Sequence, residues 1–448
     1  MISALASSGA ACTAHQRPTQ PAPADGPTLA AIFRRYGPAF HRAFRGSIST
    51  TQERALRELA VCQTAVLGGH RRQCDTCGHL TYHYNSCRNR HCSRCQAGVR
   101  RRWRQDRIDE LLDVEYFHVV MTLPDELAQL AADNPRVVYS ILCLAAAQAI
   151  LKVGRRWKRL RAHMGIILVL HSWGQVLNRH PHVHLLIPAG GIALDGRRWV
   201  YLPRGVFLPE EWLRREFRTI YLQMLGRAYR KGQLTLRRQF AAIREPEAFQ
   251  AWTDKLAALD WITHARPVGQ ASDPDGRLRT IGYLARYATG VAMTDRRIVS
   301  IDDGQVTFTY KDYRNQDDPA GPAPIKYMTL PAVEFIRRFL QHVLPHGMRH
   351  IRGYGFMVPG KRVENLRRIR QMIGMKGDGP ERDASAEDDQ RQEPDEPLDD
   401  RTDEQRCPAC GKGTIRLVWS QPRPRVADLM AMTLADLCQI RLTEWDEF

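Results

Sequence analysis

The chain has 448 residues, 43% of them hydrophobic and 25% charged, with a formal net charge of +18. That length exceeds a single core and predicts two or three domains of ordinary soluble composition. The sequence is read as having no apolar run of the roughly 18 residues a membrane span needs, and no basic start leads into an apolar segment as in a secretory signal, so membrane partners and export are not expected.

In chain order, residues 1–27 are rich in Ala, Ser and Pro and read as a disordered leader. Apolar periodicity in "TLAAIFRRYGPAF" and "TQERALRELAVCQTAVLGG" predicts helices over 28–69, stopped by Gly68-Gly69. Five of the eleven cysteines then crowd into residues 74–95. A long chain with such a cluster and no export signal favours a metal site in a reducing cytosol over a disulfide scaffold. Cys74, Cys77, Cys92 and Cys95 give C-x2-C-x14-C-x2-C, the spacing of two knuckles that each offer two thiolates to a structural Zn²⁺. Cys87 and His91 lie in the same loop as alternative ligands. Arg88, Arg90 and Arg94, and then Arg101 beside Trp103 on a basic helix from about residue 96, suit phosphate contact with stacking, although a solvated basic face has the same composition.

"YFHVVMTL" at 116–123 predicts a strand closed by Pro124, and 125–160 a long helix. "MGIILVLHSWGQ" and "HVHLLIPAGGIAL" predict two strands of an antiparallel hairpin. Helical blocks follow at about 208–256 and from about 280, then a hairpin turning at Asp303-Gly304, then an amphipathic helix in "LPAVEFIRRFLQHVL". The span from about 110 to 360 is thus a mixed α+β unit with an antiparallel sheet, without a doubly wound βαβ pattern or a Gly-rich phosphate loop. Residues 376–406 hold 13 acidic and 5 basic side chains and read as an acidic linker, which leaves +26 on the remainder. So basic a body expects a polyanion, most simply nucleic acid. Beyond the linker, "CPACGKG" is half a zinc knuckle without local partners, a degenerate turn or one completed by a partner.

Two constellations point to chemistry. His182 and His184 alternate with Val183, so on a strand both imidazoles share one face. Gln175 on the preceding strand is a third ligand by its amide oxygen, with His171 as competitor. Two imidazoles and an oxygen suit Mg²⁺ or Mn²⁺ acting on a phosphate. Tyr283 and Tyr287 in "GYLARY" are i,i+4 and project together from a helix. Alone they would be half-buried core residues. Beside a histidine metal site, a phenol can attack phosphorus and hold a cut 5′ end. Lys311 and Arg314 in "YKDYRN" are further DNA contacts or a polar edge strand. His342, His346 and His350 are spaced four apart, but Pro345 and Gly347 break the helix that would align them.

"LAAIFRRYGPAF", "YNSCRNRHCSRCQ", "WGQVLNRHPHVHLL", "YLARY", "FTYKDYRN" and "LPAVEFIRRFLQHVLPHGMRHIRGYGF" together resemble the two-tyrosine rolling-circle transposases of the insertion sequence 91 family, within the HUH endonucleases. The resemblance implies an α+β fold: an HUH-endonuclease-like core with a central antiparallel sheet and flanking helices, preceded by a small helical, zinc-binding domain. On that basis the chain divides into a leader (1–27), a helical and zinc-binding DNA-binding domain (28–109), an HUH core (110–372), an acidic disordered linker (373–406) and a tail with a partial zinc knuckle (407–448). It also implies an enzyme that nicks and joins single-stranded DNA through a 5′-phosphotyrosine, in a bacterial cytoplasm at the nucleoid. Tyr283 and Tyr287 match the nucleophiles. His182 and His184 match the Mg²⁺ or Mn²⁺ ligands, with Gln175 where related nucleases place a Glu or Gln. Some relatives carry one tyrosine, and both positions are filled here. Rival readings are a replication initiator or relaxase, a zinc-dependent DNA-binding regulator without catalysis, and a hydrolase of small phosphates.

Overall fold

The computed structural model describes residues 27–96, 107–268, 290–315, 323–375 and 406–439, with the single positions 282 and 321. The described residues form two compact units, Val61–Cys87 with the C-terminal segment, and Pro27–Ala60 with the stretch from Arg88 to 375. This differs from the expected boundary at 109. The first two helices belong to the larger unit, and the C-terminal segment, expected as a separate tail, joins the cysteine-bearing stretch.

The larger unit opens with helices Leu29–Phe44 and Thr50–Ala60. Thr28 caps the first, its hydroxyl accepting from the Ala31 amide at 3.1 Å. Helix was expected as far as residue 69 but stops at Ala60, because a short 3-10 turn at Ala65–Leu67 and the positive φ of Gly68 redirect the chain into a strand.

The main sheet has five strands: β1 (Tyr116–Thr122), β2 (Gly165–Trp173), β3 (Arg179–Pro188), β4 (Thr263–Pro267) and β5 (Ile351–Gly355). Their order is β5-β2-β3-β1-β4, and every neighbouring pair is antiparallel. β2 and β3 form the expected hairpin; the two edge strands carried no clear alternation in the sequence. One face presents Phe117, Val119, Met121, Leu168, Leu170, Val183, Leu185 and Ile187 to a buried core shared with helices α1 (Pro135–Arg156) and α2 (Glu210–Arg230). α1 corrects one expectation, since by length and composition it could cross a membrane. Two-thirds of that apolar window is buried inside the protein instead, because the sheet and α2 cover it.

The opposite face of the sheet is divided. Toward one end Val169 and Leu186 are buried in a second apolar cluster with Leu112, Phe356 and Ile369. Toward the other end the same face carries histidines. This explains why β3 begins polar and continues as an unbroken apolar run: its second half is covered on both faces. A three-stranded antiparallel sheet of Ile298–Asp302, Gln305–Lys311 and Ile325–Pro331 turns, as expected, at Asp303-Gly304, both with positive φ. Helix Ala332–Leu340 follows it directly.

The smaller unit is built on an antiparallel sheet with Gly69–Cys74 between Leu80–Tyr84 and Ile415–Gln421. None of these strands was expected.

Candidate metal centre

The histidine row is a consequence of register. β3 places His182 and His184 on the sheet face away from the α1 core, while Val183 between them is fully buried on the core side. β2 pairs His171 directly opposite His182 and Val169 opposite His184. β1 pairs Thr122 with His182, Val120 with His184, and His118 with Leu186. Residues directly opposite one another in an antiparallel pair share a face, so His171, His182, His184 and His118 converge on one patch. The ligand-type nitrogens of His171, His182 and His184 all lie within 4.8 Å of one another.

Proton positions follow from the partners. His182 Nδ1 sits 2.6 Å from the His180 carbonyl oxygen, which can only accept, so that nitrogen carries the hydrogen and Nε2 keeps its lone pair. His182 Nε2 faces His184 Nε2 at 3.1 Å, and His184 Nδ1 meets His118 Nε2 at 2.9 Å. In one tautomer of His184 this is a chain of N–H···N bonds running from His118 to His182. In the other, His184 donates from Nδ1 to His118 and two Nε2 lone pairs face each other. In that second tautomer two Nε2 lone pairs 3.1 Å apart would both be available to a single divalent cation. The residues therefore fit a divalent cation, with His118 selecting the tautomer.

Burial keeps these rings neutral, as ligands must be. Desolvation, reinforced by neighbouring rings, lowers His182 to about 3 and holds His184 well below the usual histidine range. Burial likewise lowers His118 to about 3, with Arg266 and His264 on β4 contributing. Trp173 stacks on His171, with centroids 4.3 Å apart and planes 21° from parallel, and so holds that ring against the other two.

Gln175 does not take the place expected of it. β2 ends at Trp173, so Gln175 lies in the turn to β3 and not on the strand, whereas His171 is in cross-strand register with His182. The turn is strapped from outside. The Gln175 carbonyl accepts from Arg297, that of Val176 from Arg338 at 3.4 Å, and that of Leu177 from Gln341 at 2.6 Å and from His342 Nε2 at 3.1 Å. The Gln175 amide oxygen itself accepts from the Lys311 backbone N–H at 3.3 Å. His118 was not singled out from the sequence. Its signal was its place two residues before Val120 and four before Thr122 on a strand paired with "HVH".

Tyr283 and Tyr287 lie outside the described residues, as do Arg101, Trp103 and the side chain of Arg314. Lys311 is exposed at the end of its strand. Arg88 is half-buried with a positive φ. Arg90, expected at a phosphate, is largely buried, and its guanidinium donates to the carbonyls of Met348 at 2.7 Å and Leu344 at 3.3 Å, so it braces a loop. Arg94 pairs with Asp295 at 3.3 Å. His91 is buried, and desolvation holds it well below the usual range.

The expected quartet of zinc cysteines is also rearranged. Cys74 and Cys77 gather with Cys407 and Cys410 within the smaller unit, while Cys92 and Cys95 belong to the larger one. Cys87 is buried. The degenerate-looking "CPAC" turn is therefore half of a complete set of four thiols, brought to the first knuckle by strand pairing of Ile415 with Cys74.

Known proteins bear on both centres. Residues 165–365 match the family described as "Putative transposase", and residues 32–123 match "Transposase zinc-binding domain". The chain is 41% identical over 390 residues to "Putative transposase y4qJ" of Sinorhizobium fredii, covering 87% of this chain and 94% of that one. It is 27% identical over 356 residues to "Transposase for insertion sequence element IS801" of Pseudomonas savastanoi pv. phaseolicola, covering 76% and 78%. No solved structure matches it. A zinc-binding segment ahead of a transposase segment, and similarity to two transposases over 87% and 76% of the chain, agree with the histidine- and cysteine-bearing parts seen here: the chain belongs to the insertion sequence 91 family of transposases.

Proposed function

We infer that this transposase acts as an HUH-type nuclease and strand transferase, which cuts and rejoins single-stranded DNA through a covalent phosphotyrosine and so drives rolling-circle transposition. The observation that carries this reading is the convergence of His171, His182 and His184 on one sheet face, with two neutral Nε2 atoms 3.1 Å apart. Further support comes from "YLARY", which lies within the same matched segment as the histidines, 165–365. DNA as the partner follows from membership of a transposase family and agrees with the basic body of the chain.

The three imidazoles would hold the ion, and His118 and the His180 carbonyl would fix the rings that bind it. When bound, a divalent cation there polarises the scissile phosphate and stabilises the departing 3′ oxygen. A donor set of three nitrogens is softer than the two-imidazole, one-oxygen set expected from the sequence, which favours Mn²⁺ over Mg²⁺. The phenol oxygen of Tyr283 or Tyr287 attacks phosphorus, a P–O bond forms as the P–O3′ bond breaks, and the 3′ oxygen leaves as a hydroxyl with the proton. The 5′ phosphate stays on the tyrosine. Attack by a new 3′-hydroxyl reverses the step and joins the strands, and the second tyrosine permits another cut before the first end is released. Arg266 and His264 on β4, beside His118 on the same face, are positioned to receive a phosphate backbone.

The test is incubation of the protein with single-stranded transposon-end DNA and Mn²⁺, followed by a denaturing gel. Wild type should give a DNA–protein adduct that survives denaturation. The double variant Tyr283→Phe, Tyr287→Phe should bind the same DNA without forming the adduct, and a persisting adduct would overturn the reading.

A further inference from the structure

We propose that the C-terminal segment completes a zinc ribbon, in which Cys407 and Cys410 join Cys74 and Cys77 around one structural Zn²⁺. The matched zinc-binding segment ends at residue 123, so two of these four ligands lie far outside it.

The geometry is that of a thiolate tetrahedron. Zn–S bonds of about 2.3 Å place tetrahedral sulfurs about 3.8 Å apart. Cys74 Sγ lies 3.8 Å from Cys410 Sγ, and Cys77 Sγ lies 3.6 Å from Cys407 Sγ. Both distances are far beyond a disulfide bond of about 2.05 Å. The two halves are built alike. Each is C-x2-C-G, "CDTCG" at 74–78 and "CPACG" at 407–411. In each, the glycine after the second cysteine has a positive φ, 70° at Gly78 and 66° at Gly411, and its N–H donates to the first cysteine's carbonyl, at 3.1 Å and 2.8 Å. That turn aims both sulfurs of a knuckle at one point, and a side chain with Cβ would strain it. Cys95, by contrast, is followed by Gln96.

Backbone amides face the sulfurs as a thiolate cluster requires. Thr76 N–H donates to Cys74 Sγ at 3.4 Å and Gly413 N–H to Cys410 Sγ at 3.4 Å. Gly413 also passes so close that a Cβ there would stand 2.4 Å from Cys74 Sγ. Asp75 ties the halves together, accepting from the Thr414 amide at 2.9 Å and pairing with Arg416 at 3.2 Å. Binding one Zn²⁺ converts four thiols to thiolates and releases their protons to solvent, leaving a centre of net charge −2 that these amides and Arg416 partly offset.

The experiment is zinc analysis of the full-length protein purified under reducing conditions. Cys407→Ser with Cys410→Ser should lose one equivalent of zinc per chain relative to wild type. Cys74→Ser with Cys77→Ser should lose the same single equivalent, and the quadruple variant should lose no more than either. Full retention of zinc by the 407/410 variant would overturn the proposal, as would recovery of these four cysteines as disulfides without metal. A second arm separates ligation from folding: in cobalt-substituted protein, Cys410→His should keep the ion and shift its visible absorption bands. Bands that do not move would show that Cys410 is no ligand. None of these readouts depends on DNA cleavage.

Discussion

The histidine centre and the cysteine ribbon gather ligands over very different spans of chain. His171, His182 and His184 stand on adjacent antiparallel strands joined by a short turn, and their convergence needs only the hairpin register. The ribbon joins sulfurs 330 and 336 positions apart. The supporting structure differs too. The histidines ride on a sheet whose other face is buried in an extensive apolar core, so strand packing alone sets where the rings stand. In the ribbon, the strand Ile415–Gln421 is exposed along most of its length, and Leu417, Val418 and Trp419 all face solvent in part. If the proposed zinc and divalent ion are bound, a unit with so little apolar burial should need its metal to fold, while a centre on a packed sheet should need its metal only for chemistry.

Three perturbations sharpen that contrast, beginning with the largest effect. His182→Ala should cut adduct formation on the order of 10²–10³-fold, the usual loss when a transition state is deprived of one electrostatic stabiliser. Its thermal unfolding should stay close to wild type, because the α1 core does not include this ring. A large fall in melting temperature would mean that the histidine row is structural. Next, His118→Ala should leave all three ligands in place but free the tautomer of His184. Weakening of Mn²⁺ binding by about 10–100-fold, read by titration calorimetry, is the expected size for losing such a partner. Unchanged affinity would remove His118 from the centre.

The smallest effect is in acid. Burial lowers His342 to about 3 in the folded protein, against about 6.5 for an unfolded histidine. The unfolded chain therefore takes up the proton first, so stability contributed by this ring is intact above pH 6.5 and declines as the pH falls from there toward 3. Denaturant midpoints measured across that window should fall, and His342→Gln should flatten the slope. His342 accepts from Ser172 at 3.3 Å and donates to Leu177, so the substitution probes the strap over the β2–β3 turn without removing a metal ligand.

Much of the larger unit was legible in the sequence for a physical reason: period-two alternation reports which face is buried. "HVHLLI" alternates and then turns uniformly apolar, and both halves proved informative about what covers them. The edge strands Thr263–Pro267 and Ile351–Gly355 were not legible, because edge positions tolerate prolines, glycines and arginines that hide the pattern. Gln175 was misplaced on a strand because nothing local announces that Arg297, Arg338, Gln341 and His342 would capture the turn's carbonyls. The spacing of Cys74, Cys77, Cys92 and Cys95 suggested a quartet by proximity in sequence, yet chain distance says little about ligand sets built by strand pairing. The glycine after each of two knuckles, Gly78 and Gly411, was the better signal, since it reports the turn that a bound metal requires.

The most direct measurement is mass spectrometry of the DNA-linked peptide, recovered after wild-type protein reacts with single-stranded transposon-end DNA and Mn²⁺. The account predicts a nucleotide esterified to Tyr283 or Tyr287, with its yield falling on the order of 10²–10³-fold when His182 is replaced by Ala. A nucleotide on any other side chain, or cleavage with no covalent peptide at all, would contradict it.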